Sequence, residues 1–134
     1  MAYPLLPWPC APMPRILICD DDADIVEVMS EFFRDEGLDC VTAHSFDEVV
    51  ARRGEVLGCS LAILDVNLGF GQPSGVEVFR WLQHERFGGS VVFLTGHAVT
   101  SSALAGARML GLPILAKPVT PDALLGLARA ESPA

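Results

Sequence analysis

The fold is decided by residues 16–22, which read ILICDDD. Four apolar residues run without interruption into three carboxylates. An unbroken apolar run of this length is typical of a strand that helices cover on both faces, as in a parallel sheet. Acidic residues directly after such a strand either cap the next helix or form a site at the carboxyl edge of the sheet. The stretch therefore predicts a central strand that carries carboxylates to that edge.

The rest of the chain repeats this alternation of short apolar runs and longer amphipathic segments. Residues 61–64 (LAIL) and 91–94 (VVFL) are apolar at every position, so we expect two more central strands there. The predicted strands are 15–19, 38–43, 60–64, 90–94 and 112–116, and the second of them is mixed enough to lie nearer an edge. Repeated strand-helix units predict an α/β fold, a three-layer α/β/α sandwich with a five-stranded parallel sheet.

Cap residues mark the predicted helix boundaries. The expected starts are Ser45 with Glu48, Ser74 with Glu77, and Thr120 with Pro121. The expected stops are Gly37, Gly54 and Gly111. These signals predict a third helix at 75–86 and a fourth at 100–110.

The length of 134 residues fits a single domain. A net charge of -8 argues against direct binding of nucleic acid, which requires cationic side chains to neutralise phosphates. No apolar run approaches the ~20 residues that span a bilayer, so we expect a soluble protein without membrane contacts. The four cysteines lack metal-ligand spacing, so we expect reduced thiols. The missing signal-peptide pattern predicts a cytoplasmic location.

Residues 1–14 contain five prolines. Proline removes backbone donors and favours polyproline II geometry, so we expect a disordered or extended lead-in there. The domain proper is predicted at 15–130, with a short tail at 131–134. Trp8 leaves an alternative open, namely that the lead-in docks on a partner or on the domain itself.

Polar side chains end the predicted strands, at the edge where ligands bind in open parallel sheets. They are Asp20–Asp22 after the first strand, Asp65 after the third, Thr95 after the fourth and Lys117 after the fifth. Clustered carboxylates raise each other's pKa and oppose folding, and a divalent cation relieves this. Oxygen ligands favour Mg²⁺, or Mn²⁺ as a substitute, over zinc. Lys117 is the only lysine in the chain and supplies a point charge suited to phosphate.

In order and spacing these motifs resemble the receiver domains of bacterial two-component response regulators, of the stand-alone, chemotaxis-regulator-like kind. The resemblance covers residues 14–130 and rests on ILICDDD, Leu64-Asp65, Leu94-Thr95-Gly96 and Lys117-Pro118. The spacings are 44 residues from Asp21 to Asp65, 30 more to Thr95 and 22 more to Lys117. It implies a flavodoxin-like, doubly wound sheet with strand order 2-1-3-4-5.

The resemblance also implies a metal site. Asp21 would bind Mg²⁺ directly, Asp20 largely through water, and Asp65 and the backbone carbonyl of Asn67 would complete the protein ligands. Mn²⁺ would serve as a substitute.

By the same resemblance, Asp65 is the phosphoacceptor, while Thr95 and Lys117 each contact a phosphoryl oxygen. The donor is a phosphohistidine on a sensor histidine kinase or a phosphotransfer protein. The acyl phosphate hydrolyses with time, so the domain catalyses only its own phosphorylation and slow dephosphorylation and is not an enzyme in the usual sense. Since no output domain follows residue 130, the signal is expected to leave through the fourth helix, fifth strand and fifth helix, towards a downstream protein or a second copy.

Several positions depart from the family pattern or add to it. The segment 66–75 is longer than the usual loop and has Gly69 where many relatives have proline. Ile114 stands where relatives often have Tyr or Phe. His97 lies where the family tunes phosphoryl lifetime, although an ordinary solvent-facing histidine explains it equally well. The resemblance also implies that the Lys117-Pro118 peptide bond is cis, although only about 5–6% of X-Pro bonds are.

Two other functions stay open. A pseudo-receiver scaffold would keep the fold and bind proteins without phosphorylation. The presence of the site residues argues against this alternative, whereas Ile114 and the long loop keep it open; those site residues are Asp20, Asp21, Asp65, Thr95 and Lys117. A phosphohydrolase with an Asp nucleophile matches Asp20-x-Asp22 only superficially, and the chain has no room for the cap that such enzymes use.

Overall fold

The computed structural model describes residues 15–96 and 102–130. In this part of the chain, strands and helices alternate. The strands are β1 (Arg15–Cys19), β2 (Asp39–Ala43), β3 (Leu61–Asp65), β4 (Ser90–Thr95) and β5 (Ile114–Ala116). The helices are α1 (Ala23–Asp35), α2 (Phe46–Ala51), α3 (Arg53–Val56), α4 (Gly75–His84), α5 (Ser102–Met109) and α6 (Pro121–Ala130).

The strands form one parallel sheet in the order β2-β1-β3-β4-β5. β1 lies between β2 and β3, with Ile18 opposite Thr42 on one side and Ile63 on the other. Because the strands are parallel, their carboxyl ends lie along one side of the sheet, which we call the carboxyl edge. The predicted fold class and strand order are confirmed.

Helices cover both faces of this sheet. On one face, Ile16 of β1 belongs to the same buried cluster as Phe33 of α1 and Leu124 of α6. On the other face, Leu17 of β1 clusters with residues of α2, α4 and α5, among them Phe79. Alternate residues of a strand point to opposite faces, so an apolar residue is required at every position of a central strand. This is the predicted three-layer sandwich.

Cap geometry confirms most of the predicted helix ends. The side chains of Asp22, Ser45 and Ser74 accept hydrogen bonds from amide groups in the first turns of α1, α2 and α4. Gly37 and Gly111 have φ angles of +85° and +72°, the left-handed backbone that glycine adopts without a Cβ clash. The caps therefore set the lengths of the helices over the sheet.

Some predicted boundaries were wrong. The second helix was expected to run to Gly54, but it ends at Ala51, and Gly54 lies inside α3. Arg52 interrupts it with φ -105° and ψ 27°, and its guanidinium donates to the Thr42 carbonyl at 2.9 Å. The fifth strand begins at Ile114 rather than at residue 112, after Pro113, which has no amide N–H to donate. The third predicted helix ends at His84, two residues early.

Cys19, Cys40 and Cys59 are buried free thiols, as expected for reduced core residues. Burial raises the pKa of Cys19 and Cys59 to about 12 and that of Cys40 to about 11. These thiols therefore stay protonated and unreactive at neutral pH.

The remaining predictions on chain organisation lie outside the described residues. They concern the lead-in at 1–14, the tail at 131–134, the start of the fourth helix at Thr100, and His97. Across the described helices, none is both long enough and apolar enough to cross a membrane.

Candidate functional site

Two neighbouring strands deliver acidic side chains to the carboxyl edge. Asp20 and Asp21 directly follow β1, and Asp65 is the last residue of β3. One carboxylate oxygen from each residue lies within 4.8 Å of the other two. Asp20 and Asp65 are only 1% and 4% exposed, whereas Asp21 faces solvent. The carboxylates that were predicted to converge thus form one cluster, which we call the acidic cluster.

Lys117 reaches the acidic cluster from the end of β5. Its amide N–H donates to the Thr95 carbonyl at 2.8 Å, which holds this end of the chain beside β4. Its Nζ donates to Oδ2 of Asp20 at 2.7 Å and to Oδ2 of Asp65 at 2.9 Å. The peptide bond to Pro118 is cis, as predicted. The lysine that was expected beside the acidic pocket bridges two of its carboxylates.

Backbone amides hold the other oxygen of both bridged carboxylates. Oδ1 of Asp20 accepts from the amide of Asp22 at 2.9 Å, and Oδ1 of Asp65 accepts from the amide of Asn67 at 3.0 Å. The side chain of Asn67 in turn accepts from the amide of Gly69 at 3.0 Å. Local turns of this kind orient the carboxylates before any ligand arrives, which lowers the entropic cost of a reaction at them.

The acidic cluster and Lys117 together have three carboxylates and one ammonium, so the site is negative when all four groups are ionised. Burial raises the pKa of Asp65 to about 6, assisted by the charge of Asp20 and opposed by the hydrogen bond from Lys117. Partial desolvation beside the other two carboxylates, followed by the charge of Asp20, also raises the pKa of Asp21. Burial opposes the charge of Lys117, but its two carboxylate partners outweigh burial and raise its pKa. The cluster therefore favours one more positive charge, from a proton or a metal ion.

Thr95 and Asn67 lie at the same edge. Thr95 is the last residue of β4, is half-buried, and has its hydroxyl 3.4 Å from the Gly96 carbonyl. Asn67 follows Asp65 by two residues and is exposed. Their contacts with a phosphoryl oxygen and with a cation stay predictions.

Asp22 performs a different task from its two neighbours. Its Oδ1 accepts from the amides of Asp24 at 3.0 Å and Ile25 at 3.3 Å, which caps α1. The acidic triplet is therefore divided, because Asp20 and Asp21 lie in the acidic cluster and Asp22 caps α1.

Gly75 is a positioning residue that the sequence analysis did not single out. It is the first residue of α4, and a Cβ built on it would overlap the carbonyl oxygen of Asp65. Only glycine allows α4 to start this close to the backbone of β3. The sequence signal for this role was a glycine directly after the N-cap Ser74, at a helix position where residues of higher helix propensity are normally acceptable.

The long loop 66–75 borders the acidic cluster, since a Cβ on Gly69 would lie 3.6 Å from Oδ2 of Asp21. Gly69 and Gly71 have φ angles of +116° and +75°, so the loop uses the backbone freedom that glycine provides. Ile114, at the position where relatives often have an aromatic residue, is half-buried against the core on the α4 and α5 face.

Comparison with known proteins identifies the receiver-domain family that the sequence motifs resemble. Residues 16–129 match the family model of the response regulator receiver domain. Over 115 residues the chain is 30% identical to the response regulator protein TodT of Pseudomonas putida, covering 86% of this chain and 49% of TodT. Over 114 residues it is 30% identical to the nitrogen assimilation regulatory protein NtrX of Azorhizobium caulinodans, covering 82% of this chain and 24% of NtrX. The chain thus spans a quarter to a half of the length of these relatives.

Solved structures support the fold. A CheY-like receiver domain protein from Methanospirillum hungatei superposes with a TM-score of 0.76 and 26% identity, covering 90% of this chain and 94% of that one. The chemotaxis protein CheY4 of Vibrio cholerae, at 21% identity, superposes with a TM-score of 0.74, covering 90% of this chain and 100% of that one. The sheet order, the acidic cluster with its bridging lysine, and the family match over residues 16–129 agree. This chain belongs to the response-regulator receiver-domain family of two-component systems.

Proposed function

We propose that this receiver domain is a phosphorylation-dependent switch in which Asp65 accepts the phosphoryl group. The observation that carries the proposal is the 2.9 Å contact between Nζ of Lys117 and Oδ2 of Asp65 inside the acidic cluster. An ammonium held beside a carboxylate nucleophile offsets the charge of an incoming phosphoryl group. Membership of the receiver family supports the same assignment.

The donor set of the acidic cluster fits Mg²⁺. Its three carboxylates supply oxygen ligands, which suit Mg²⁺ or Mn²⁺ rather than zinc. Asp20, Asp21, Asp65 and the backbone carbonyl of Asn67 would hold the ion. When bound, it would neutralise phosphoryl oxygens and so favour transfer.

The proposed reaction is an in-line transfer. A carboxylate oxygen of Asp65 attacks the phosphorus of a phosphohistidine on a sensor kinase or a phosphotransfer protein. The new P–O bond forms as the P–N bond breaks, and the bonding electrons return to the imidazole nitrogen. Thr95 donates its hydroxyl hydrogen to one phosphoryl oxygen and Lys117 contacts another. Water later cleaves the acyl phosphate, releases inorganic phosphate and restores the Asp65 carboxylate.

We infer that the output is a protein contact on the face formed by α5, β5 and α6. Met109 of α5 is 88% exposed, and an apolar side chain at the surface suits a partner protein or a second copy of the chain. The net charge of -8 disfavours direct contact with nucleic acid. The three buried thiols, all free, agree with action in the reducing cytoplasm.

Incubation with acetyl phosphate and Mg²⁺, followed by intact-mass measurement, tests the proposal. We expect one phosphoryl group on the protein, none on Asp65→Asn, and normal labelling of Asp22→Asn. Asp22 is the matched control because it is also an aspartate and directly follows Asp21 of the cluster, yet its side chain caps α1. An unlabelled wild-type protein would indicate a pseudo-receiver scaffold. Release of phosphate over many turnovers would indicate a phosphohydrolase. A labelled Asp65→Asn variant would place the acceptor elsewhere.

A further inference from the structure

β2 forms one edge of the sheet in the described part of the chain, because it pairs with β1 and has no strand beyond it. The amide of Asp20 donates to the Ala43 carbonyl at 3.2 Å, so the backbone carbonyl of Ala43 faces β1. Backbone groups of successive strand residues point in opposite directions within the plane of the sheet. The amides and carbonyls of Cys40 and Thr42 therefore face away from β1, along a line that we call the outer edge of β2. An edge strand of this kind is a template for pairing with a further strand.

The guanidinium of Arg52 occupies a carbonyl group at the outer edge of β2. Its Nη1 donates to the Thr42 carbonyl at 2.9 Å. Its Nε and Nη2 donate to the two carboxylate oxygens of Glu55, each at 3.1 Å, and a two-point contact of this kind fixes the plane of the guanidinium. A second strand that used this carbonyl as an acceptor would have to displace a charged side chain that is held in place.

The carboxylate of Asp39 occupies an amide group at the same edge. Its Oδ1 accepts from the Cys40 amide at 2.9 Å, and its Oδ2 accepts from Nε of Arg15 at 3.1 Å. Each of the two blocking side chains is thus held by a partner of opposite charge, Asp39 by Arg15 and Arg52 by Glu55. Charged side chains along an edge strand are one means by which folded proteins avoid pairing edge to edge.

The other edge of the sheet is protected differently. β5 is only three residues long, and prolines stand nearby at positions 113 and 118. Proline has no amide to donate to a further strand, and a short strand offers few groups to pair with. β2 is five residues long and contains no proline, so its outer edge depends on the side chains of Arg52 and Asp39.

The partner that the outer edge of β2 would fit is a second copy of the same edge. Two copies related by a two-fold axis would place their β2 strands antiparallel, and with Val41 at the axis, Cys40 of one copy would lie opposite Thr42 of the other. In such a pair, the Cys40 amide of one copy donates to the Thr42 carbonyl of the other. These are the two groups that Asp39 and Arg52 occupy within a single chain.

We propose that Arg52 and Asp39 close the outer edge of β2 to a second copy of the chain. Without these two side chains, the domain pairs edge to edge through β2 into a dimer. This surface is separate from the face formed by α5, β5 and α6, because β2 and β5 lie at opposite edges of the sheet. The inference does not depend on phosphorylation of Asp65, so the unphosphorylated protein tests it.

Sedimentation velocity over a range of protein concentrations tests whether the edge is closed. We expect Asp39→Ala combined with Arg52→Ala to dimerise at least about tenfold more tightly than the wild-type chain, because backbone groups at the outer edge become free to pair. Arg52→Ala alone should show a smaller increase, and it decides the question if the double variant does not fold. Arg53→Ala is the matched control, since this neighbouring arginine pairs with Glu85 after α4. It should sediment like the wild type.

Amide hydrogen exchange measured by NMR locates the contact. In the double variant, exchange at the amides of Cys40 and Thr42 should slow as the protein concentration rises, whereas exchange in β5 should not change. Met109→Glu added to the double variant should leave the dimer intact, because Met109 is exposed on α5, away from β2. Equal association of the wild type, the double variant and Arg53→Ala would overturn the proposal. A dimer that Met109→Glu abolishes, or slowed exchange in β5 instead of β2, would overturn it as well.

Discussion

At the scale of single residues, Lys117 controls the charge balance of the site. Its side chain is 21% exposed and bridges Asp20, 97 residues away in sequence, and Asp65. The sequence marks it as a lone lysine after the fifth apolar run, but the two-sided contact follows from the sheet. A buried carboxylate pair without this ammonium would carry uncompensated negative charge.

We therefore predict that Lys117→Met destabilises the metal-free protein by about 3 kcal/mol at neutral pH. Without the ammonium, the pKa of Asp65 in the folded state rises further above its value in the unfolded state. At pH values between these two pKa values, the folded state therefore binds more protons than the unfolded state. Stability of the variant should consequently fall as pH rises and recover in acid. Denaturant unfolding across pH measures this.

Arg80→Met is the matched control for that experiment. Arg80 pairs with Glu77 at 3.1 Å on the exposed surface of α4, where an ion pair typically contributes about 0.2–1 kcal/mol. If Lys117→Met were no less stable than Arg80→Met in the absence of metal, the bridge would have no part in balancing the charge of the site.

Protons and Mg²⁺ should compete for Asp65. Since its pKa lies at about 6 in the metal-free protein, the cation must displace a proton below that pH. We predict that the apparent affinity for Mg²⁺ falls by up to about tenfold per pH unit below that point and levels off above about pH 7. Calorimetric titration over this range measures the slope, and Asp65→Asn should bind weakly with little pH dependence. An affinity that stays constant through the acid range would contradict the competition.

At the scale of the elements, the join between β3 and α4 sets the geometry around Asp65. The amide of Gly75 donates to the Val66 carbonyl at 3.0 Å, and its missing Cβ makes room for the Asp65 carbonyl. The strand end and the helix start are therefore packed backbone against backbone. Any side chain at Gly75 has to push α4 away from the site.

We predict that Gly75→Ala destabilises the protein by more than about 1 kcal/mol and slows labelling by acetyl phosphate, because the overlap is with backbone atoms that do not yield easily. Gly126→Ala in α6 is the matched control. A Cβ there meets nothing within 4 Å, so helix propensity alone should make it more stable by about 0.5–1 kcal/mol. Thermal unfolding and labelling rates compare the two. Equal stabilities would show that α4 moves without cost.

At the scale of the whole molecule, the acidic cluster ties separate parts of the sheet together. Its carboxylates lie at the ends of β1 and β3, and Lys117 adds the end of β5, so the cluster exists only when the sheet is assembled. A cation that binds there binds the folded state alone. Binding of this kind raises the stability of the entire domain by mass action.

We predict that Mg²⁺ at about 100 times its Kd stabilises the protein by about 2.7 kcal/mol. For a domain of this length, that corresponds to a rise of roughly 10 °C in Tm. Asp21→Ala should remove most of the rise without unfolding the protein, because Asp21 is exposed and lies outside the Lys117 bridge. Differential scanning calorimetry measures the rise in Tm, and the same measurement in NaCl of equal ionic strength is the control. A Tm that rises equally in both proteins would mean that the ion binds elsewhere.

Much of this molecule is determined locally by the sequence. Unbroken apolar runs specify β1, β3 and β4 as strands buried on both faces, because a polar residue there has no water to face. Cap residues specify where helices start, since they satisfy amide groups within a few positions along the chain. The acidic and cationic residues at this edge were likewise identifiable because each one ends a strand or closely follows one.

Only the tertiary structure decided what depends on contacts between distant segments. At the break between α2 and α3, the guanidinium of Arg52 donates to the Thr42 carbonyl of β2, and the need for glycine at Gly75 arises from the carbonyl of Asp65. The division of the acidic triplet, with Asp22 capping α1 while Asp20 faces Lys117, also required the assembled sheet. Local sequence records the preferences of each segment, whereas a close approach between two segments exists only after both have packed on the same core.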